Sequence, residues 1–178
     1  MTEDRLAVPN VSSVVRRPSS VRRSAGLLLY RRRAAEVELL LVHPGGPFWR
    51  KKDLGAWSIP KGEYAQGEEP LAAAKREFAE ETGMRPSGHF LPLGELVQRG
   101  GKIVTAFALE GDFDPTELRC NSFELEWPPR SGKRQSFPEV DRAQWFTPDE
   151  AQRKILPSQS EFIDRLLAAL GSNESEPG

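Results

Sequence analysis

Cysteine is almost absent. Cys120 is the only one in 178 residues, which excludes an internal disulfide and any CxxC metal or redox pattern. Histidine is nearly as scarce: only His43 and His89 are present, and neither stands in a nucleophile motif, so Ser-His-Asp logic has no footing. No apolar run approaches the roughly 20 residues that a membrane span needs. No apolar h-region marks the start, so no secretory signal is expected, and a cytoplasmic location is the default. Charge of one sign is not in excess: 25 basic against 26 acidic residues leave a net −1. That balance argues against a general nucleic-acid binder, which is normally basic. No internal repeat is visible.

The length suits one domain with flanking tails, and a mean hydropathy of −0.54 describes a soluble chain. Residues 1–22 mix Pro, Ser and Arg without apolar periodicity and read as a flexible tail. Its arginines, Arg16, Arg17 and Arg22, offer a contact for RNA, although a solvated leader is the plainer reading. The domain is expected over 23–171, followed by a disordered tail at 172–178. Within it, "SAGLLLY" (24–30) and "VELLLVH" (37–43) read as two buried strands joined by a charged turn, "RRRAAE". Residues 44–55 are a Gly/Pro-punctuated loop, and 56–60 a brief strand. Further strands are expected at 93–98, 102–110, 122–127 and 142–146, with 128–139 as a loop. Thr147 caps a helix that opens with Pro148, and Ser158 is placed as the cap of a last helix faced by Phe162, Leu166, Leu167 and Leu170. Strands dominate and helices pack on them, which gives an α+β sandwich.

The chemistry concentrates in "GEYAQGEEPLAAAKREFAEETGM" (62–84). Pro70 suits the first turn of a helix and Gly83 its left-handed stop. Leu71, Ala74 and Phe78 make its apolar face. Glu77, Glu80 and Glu81, spaced i, i+3, i+4, are expected on the opposite, open face, where like charges cost roughly 0.2–0.5 kcal/mol per pair. A solvated acidic face is the bland explanation. Against it, no lysines interleave these acids and the preceding loop adds Glu68 and Glu69. Several carboxylates at this spacing suit a hard divalent cation such as Mg²⁺.

The same residues resemble the Nudix box, G-x5-E-x7-R-E-U-x-E-E-x-G-U. Gly62, Glu68, Arg76, Glu77, Phe78, Glu80, Glu81, Gly83 and Met84 fill every defined position, and the similarity extends more loosely over about 24–170. The resemblance implies an α/β/α sandwich with a central mixed sheet, and hydrolysis of nucleoside diphosphates linked to another group with Mg²⁺ or Mn²⁺. It implies Glu80 and Glu81 as principal metal ligands and Glu77 as a further ligand or base. The Gly62 carbonyl would contact the ion too. Arg76 would orient Glu77 and pair with Glu68. Many family members recruit a further glutamate ahead of a Trp-containing strand, and Glu139 in "FPEVDRAQWF" suits that place, with Glu124 and Glu126 as the other candidates.

Substrate signals are thinner. Lys61 in "WSIPKGE" resembles the version found in diadenosine polyphosphate hydrolases and would aim an ammonium at phosphate oxygens. Yet no tyrosine follows Tyr64, so the tyrosine marker of those enzymes is missing. Arg99 and Gly100 stand where ADP-ribose enzymes carry a proline. "PFWRKKD" (47–53), with Trp49, Lys51 and Lys52, and "WPPRSGKRQ" (127–135) combine aromatics with cations that suit a base and a phosphate chain. Core-edge packing of Trp49 and Trp127 has even weight. His43 is placed at the pocket beside the first of these loops, with an ordinary strand-end histidine at least as good a reading. The expected function is a metal-dependent pyrophosphohydrolase of nucleoside polyphosphates, dinucleoside polyphosphates narrowly ahead of nucleoside triphosphates. The alternatives are RNA 5′-end pyrophosphohydrolysis and a non-catalytic nucleotide-sensing domain, against which the intact box argues. The expected partner is a small nucleotide, with no membrane; monomer and homodimer stay equally open.

Overall fold

The computed structural model describes residues 21–173. Of the tails expected at 1–22 and 172–178, residues 1–20, with Arg16 and Arg17, and 174–178 lie outside the described residues. In chain order the elements are β1 (Arg23–Arg33), β2 (Glu36–Pro44), β3 (Lys61–Glu63), α1 (Pro70–Thr82), β4 (Phe90–Val97), β5 (Ile103–Glu110), β6 (Ser122–Glu126), β7 (Arg134–Pro138), β8 (Val140–Phe146), α2 (Pro148–Lys154) and α3 (Ser160–Asn173). The main sheet runs β4-β5-β1-β2-β8 with β3 also on β1, while β6 and β7 form a separate two-stranded ribbon. β1 and β5 are parallel and the other pairs antiparallel.

Both faces of this mixed sheet are covered. Leu27 and Leu29 pack with Ala73, Ala74 and Phe78 of α1. Leu28 and Tyr30 point the other way, to Phe162, Ile163, Leu166 and Leu170 of α3. Successive side chains of a strand alternate between faces, so a strand covered on both sides reads as an unbroken apolar run. That is the physical content of "LLL" in β1 and again in β2, and the architecture is the expected α/β/α sandwich. Among the described residues no helix is long and apolar enough to cross a membrane.

Four local expectations need correction. Arg31–Arg33 continue β1, and only Ala34 and Ala35 turn; opposed charges, Arg31 against Glu38 and Arg33 against Glu36, support the extension. Residues 56–60 are not a strand of the sheet. They wedge between β1 and β2, making only isolated bridges such as Val42 to Ser58, with Leu27 N–H donating to the Pro60 carbonyl at 3.1 Å. Gly26 permits this approach, since a Cβ there would come 2.6 Å from the Pro60 oxygen. The stretch 128–139 contains β7, which pairs with β6 from Ser122–Pro138 to Glu126–Arg134; its flanking Pro and Gly concealed a ribbon strand that needs few ladder bonds. Ser158 does not cap the last helix. It lies in a 3₁₀ turn, Pro157–Gln159, and its hydroxyl accepts from Gln98 Nε2 at 3.2 Å. That turn buries Gln159, whose Oε1 accepts the Ile59 N–H at 3.1 Å. α3 then continues to Asn173, two residues past the expected boundary.

Candidate active site

Helix α1 is built as its sequence suggests, with Pro70 in the first turn and Gly83 closing it at φ 85°. Its acids do not stand opposite the apolar face. Ala73, Ala74, Phe78 and Thr82 are buried, and at about 100° per residue Glu77 and Glu81 both fall in the arc between Ala73 and Ala74, Glu77 about 40° from Ala73 and Glu81 about 20° from Ala74. They therefore lie within the buried stripe and are themselves half-buried. Glu80 and Glu81 also occupy the last turn, which carries no basic residue. The carbonyl end of a helix repels carboxylates and favours a cation.

Arg76 organises the outer side of the cluster. Its Nε and Nη2 donate to the two oxygens of Glu68 at 3.1 and 3.2 Å, a bidentate pair. Nη1 donates to Glu77 at 2.7 Å and to Glu80 at 3.4 Å. The Glu68 carboxylate, with Glu77 adding, holds the guanidinium pKa above its ordinary value. Glu81 turns inward, accepting the backbone N–H of Lys61 at 3.2 Å. Because Arg76 draws off two acids and Lys61 the third, the three carboxylates do not converge on one point as expected. Among the described residues no three acidic, His or Cys side chains form a ready-made ion cage.

β3 brings the loop to the helix. Its pairing with β1 sets Gly62 opposite Ala25 and against Glu77: a Cβ added at Gly62 would land on the Glu77 carboxylate. The glycine is thus required for space, a reason that spacing alone does not supply. Lys61 and Glu81 line a cleft of about 210 Å³ together with Glu139 and Trp49, its apolar walls coming from Val42, Val140 and Leu156. Glu139 sits at the β7–β8 junction, held by main-chain bonds: its N–H donates to the Asn121 carbonyl at 2.9 Å, and its carbonyl accepts from Gly45 at 3.0 Å.

Burial sets the electrostatics. It pushes Glu81 up to about 8, Lys61 opposing and Glu77 and Glu139 adding repulsion. It raises Glu77 too, against the pull of Arg76 and with Glu80 and Glu139 adding to it. It lowers Lys61, helped by neighbouring Lys102 and opposed by Glu81.

The remaining candidates divide. Trp49 both lines the cleft and packs on the core, with the Lys52 ammonium 4.9 Å from its ring centroid. Lys51 is exposed and outside the lining of this cleft. His43 is a correction: it is fully buried and presents nothing to a ligand. Its Nδ1 meets Asp141 at 2.8 Å and its Nε2 the Lys52 carbonyl at 2.7 Å, and its ring stands edge-on to Trp57 at 5.1 Å. It clamps the 44–55 loop to β8. Its place at a strand end beside the loop pointed to the pocket, but its neighbours on β8, invisible in sequence, turned the ring inward. Glu124 is engaged by Arg134 at 3.4 Å and Glu126 by the Gly132 N–H at 3.0 Å, both on the ribbon, and neither lines the cleft.

A hard divalent ion fits this donor set. Every candidate donor is oxygen: the Glu77, Glu80 and Glu81 carboxylates lie on the last two turns of α1, and Gly62 packs against Glu77. Burial disfavours the charged form of Glu81, and a cation beside it would favour that form. Side-chain rotation of Glu77 and Glu80 away from Arg76 is the adjustment required.

A family model described as NUDIX domain matches residues 20–166. The RNA pyrophosphohydrolase of Rhizobium meliloti (strain 1021) is 29% identical over 129 residues, covering 64% of this chain and 71% of that protein. The octanoyltransferase of Myxococcus xanthus is 30% identical over 147 residues, 82% of this chain but only 37% of its own length. Among solved structures, a binary complex of the C. elegans Ap4A hydrolase superposes with TM-score 0.57 at 21% identity, covering 85% of this chain and 99% of that one. The NUDIX domain of Shewanella oneidensis NrtR complexed with ADP ribose gives 0.58 at 16%, covering 85% and 89%. At such identities the two structures show a shared fold alone. Nudix hydrolases generally use a divalent metal. With a family match across most of its length and every defined box position filled, the chain belongs to the Nudix family.

Proposed function

We propose that this protein is a Mg²⁺-dependent (or Mn²⁺-dependent) pyrophosphohydrolase of nucleoside polyphosphates, with dinucleoside polyphosphates ahead of nucleoside triphosphates. The observation that carries this reading is the meeting of Glu81, Lys61 and Glu139 in one cleft, beside Glu77 and its arginine. Glu77, Glu80, Glu81 and the Gly62 carbonyl would hold the ion. Bound there, it supplies charge neutralisation of the phosphates and acidification of a water. The chain's own groups do the rest. Glu139 or Glu77 accepts the proton of the attacking water, a contribution of typically 10²–10⁴-fold. The Lys61 ammonium, half-buried, offsets phosphate charge. Lys51 and Lys52 extend that role along the chain, Trp49 walls the cleft, and Arg76 fixes the angle of Glu77. Phosphoryl-type transfer demands positioning and charge stabilisation more than a protein nucleophile.

The relatives named RNA pyrophosphohydrolase favour one second reading, removal of pyrophosphate from triphosphorylated RNA ends. A nucleotide panel with Mg²⁺, resolved by chromatography, separates the two. Cleavage of diadenosine tetraphosphate, lost in Glu81→Gln, is the expected outcome. Turnover of triphosphorylated RNA alone transfers the function to the second reading, and no turnover with either ion sinks both. In the same assay Glu139→Gln should slow turnover about 10²-fold while leaving the melting temperature unchanged.

A further inference from the structure

The cleft's 210 Å³ falls below the roughly 300–1,000 Å³ of pockets that enclose a whole small ligand. A nucleotide held there by its phosphates must leave part of itself on the rim. The rim is formed where the 44–55 loop meets the β6–β7 ribbon. Gly45 N–H bonds to the Glu139 carbonyl at 3.0 Å, and Gly46 lies so near the Phe123 ring that an added Cβ would sit 2.9 Å from its Cζ. Beyond them the Phe48 ring stands edge-on to Trp127, centroids 5.4 Å apart at 79°. The two loops that the sequence offered as separate candidates are therefore one structure, and it begins at Trp49 and Glu139, which line the cleft.

This aromatic pair is not spent on the core. Neither ring belongs to a hydrophobic cluster, and Phe48 is 60% exposed. An edge-on pair covers one face of one ring, and the 60% exposure of Phe48 leaves aromatic surface open to stacking. The ribbon turn carries Arg130 and Lys133 and the loop carries Lys51. None of these three has an acidic partner among the described residues. Open aromatic faces with unpaired cations alongside are complementary to a flat base attached to phosphates.

We propose that the Phe48–Trp127 pair seats the nucleobase of the substrate. The proposal rests on the nucleoside-polyphosphate reading and adds the feature that would separate substrates bearing a base from phosphoanhydrides lacking one. Base–aromatic stacking tolerates any base, so the site selects for a base without choosing among them.

The test compares diadenosine tetraphosphate with phosphoribosyl pyrophosphate, a base-free substrate, in the full chain and in Phe48→Ala and Trp127→Ala. Each variant should raise KM for the dinucleotide at least about tenfold more than KM for the base-free compound, and Trp127→Phe should recover most of the loss. Equal changes for both compounds, or none, overturn the proposal. A rise confined to triphosphorylated RNA also overturns it, since the rim would then serve a polynucleotide. A second readout does not depend on turnover. Diadenosine tetraphosphate in EDTA should quench tryptophan fluorescence in the wild type, and Trp127→Phe should lose most of that quench. If no substrate is cleaved the pyrophosphohydrolase reading fails, and the fluorescence result alone decides the base site.

Discussion

Gly62 shows how one residue can carry a site by lacking a side chain. Gly62→Ala would drive a methyl into the Glu77 carboxylate. Displacing that glutamate should cost about 10²-fold in kcat/KM and about 1–3 kcal/mol of stability from overpacking, read by steady-state kinetics and urea unfolding. His43 makes the opposite case, a polar ring wholly used for structure. His43→Leu removes the contacts to the Lys52 carbonyl and to Asp141, which keeps Arg142 at 3.7 Å, so a loss of about 1–3 kcal/mol in urea unfolding is expected. A loosened 44–55 loop should also raise KM, because Trp49 hangs from it. Among residues, the box was legible because its function needs fixed types at fixed spacings. His43 was not, because burial is decided by strands far away in sequence.

At the scale of elements, α1 is the instructive one. Its helix signals, Pro70 and Gly83, are local and were readable. The direction of its acids was misread as outward, since the buried stripe runs from Ala73 round to Thr82 and takes in Glu77 and Glu81. Arg76 ties this helix to the loop before it through Glu68 and to Glu77. Its side chain is substantially exposed, so Arg76→Ala should cost only about 1 kcal/mol in thermal unfolding. The rate should fall about 10²-fold through a misplaced Glu77, so kinetics and melting should disagree sharply. β6 was expected at 122–127, but its partner β7 escaped notice for the complementary reason. Prolines and glycines that signal a loop also flank short strands, and only the pairing of Phe123 with Phe137 distinguishes the two.

For the molecule as a whole, the acid cluster links folding to pH and to cations. Glu81 has a folded pKa raised to about 8, above its unfolded value. Its contribution is therefore fully present below the ordinary carboxylate range and is lost as pH rises through about 8. In EDTA, stability should decline between about pH 5 and pH 8. A shift of that size carries at most about 5 kcal/mol, and solvent access to the cleft should reduce this to about 2 kcal/mol. Urea unfolding across that range checks the slope, and Glu81→Gln should flatten it. A divalent ion competes with protons for the same oxygens. Mn²⁺ at about a hundred times its Kd should then add about 2.7 kcal/mol at pH 8 and far less at pH 5.

The sequence by itself determined the covered sheet, the helix with its caps and the set of acids, because apolar runs, turn residues and fixed spacings are local facts. Only the tertiary structure decided what meets what. It wedged residues 57–60 between β1 and β2 so that Lys61 reaches Glu81, and brought Glu139 to the cleft from the far end of the chain. It also buried His43 and joined Phe48 to Trp127. The physical reason is that such contacts depend on how strands separated by many residues register and splay, and one-dimensional spacing does not encode that.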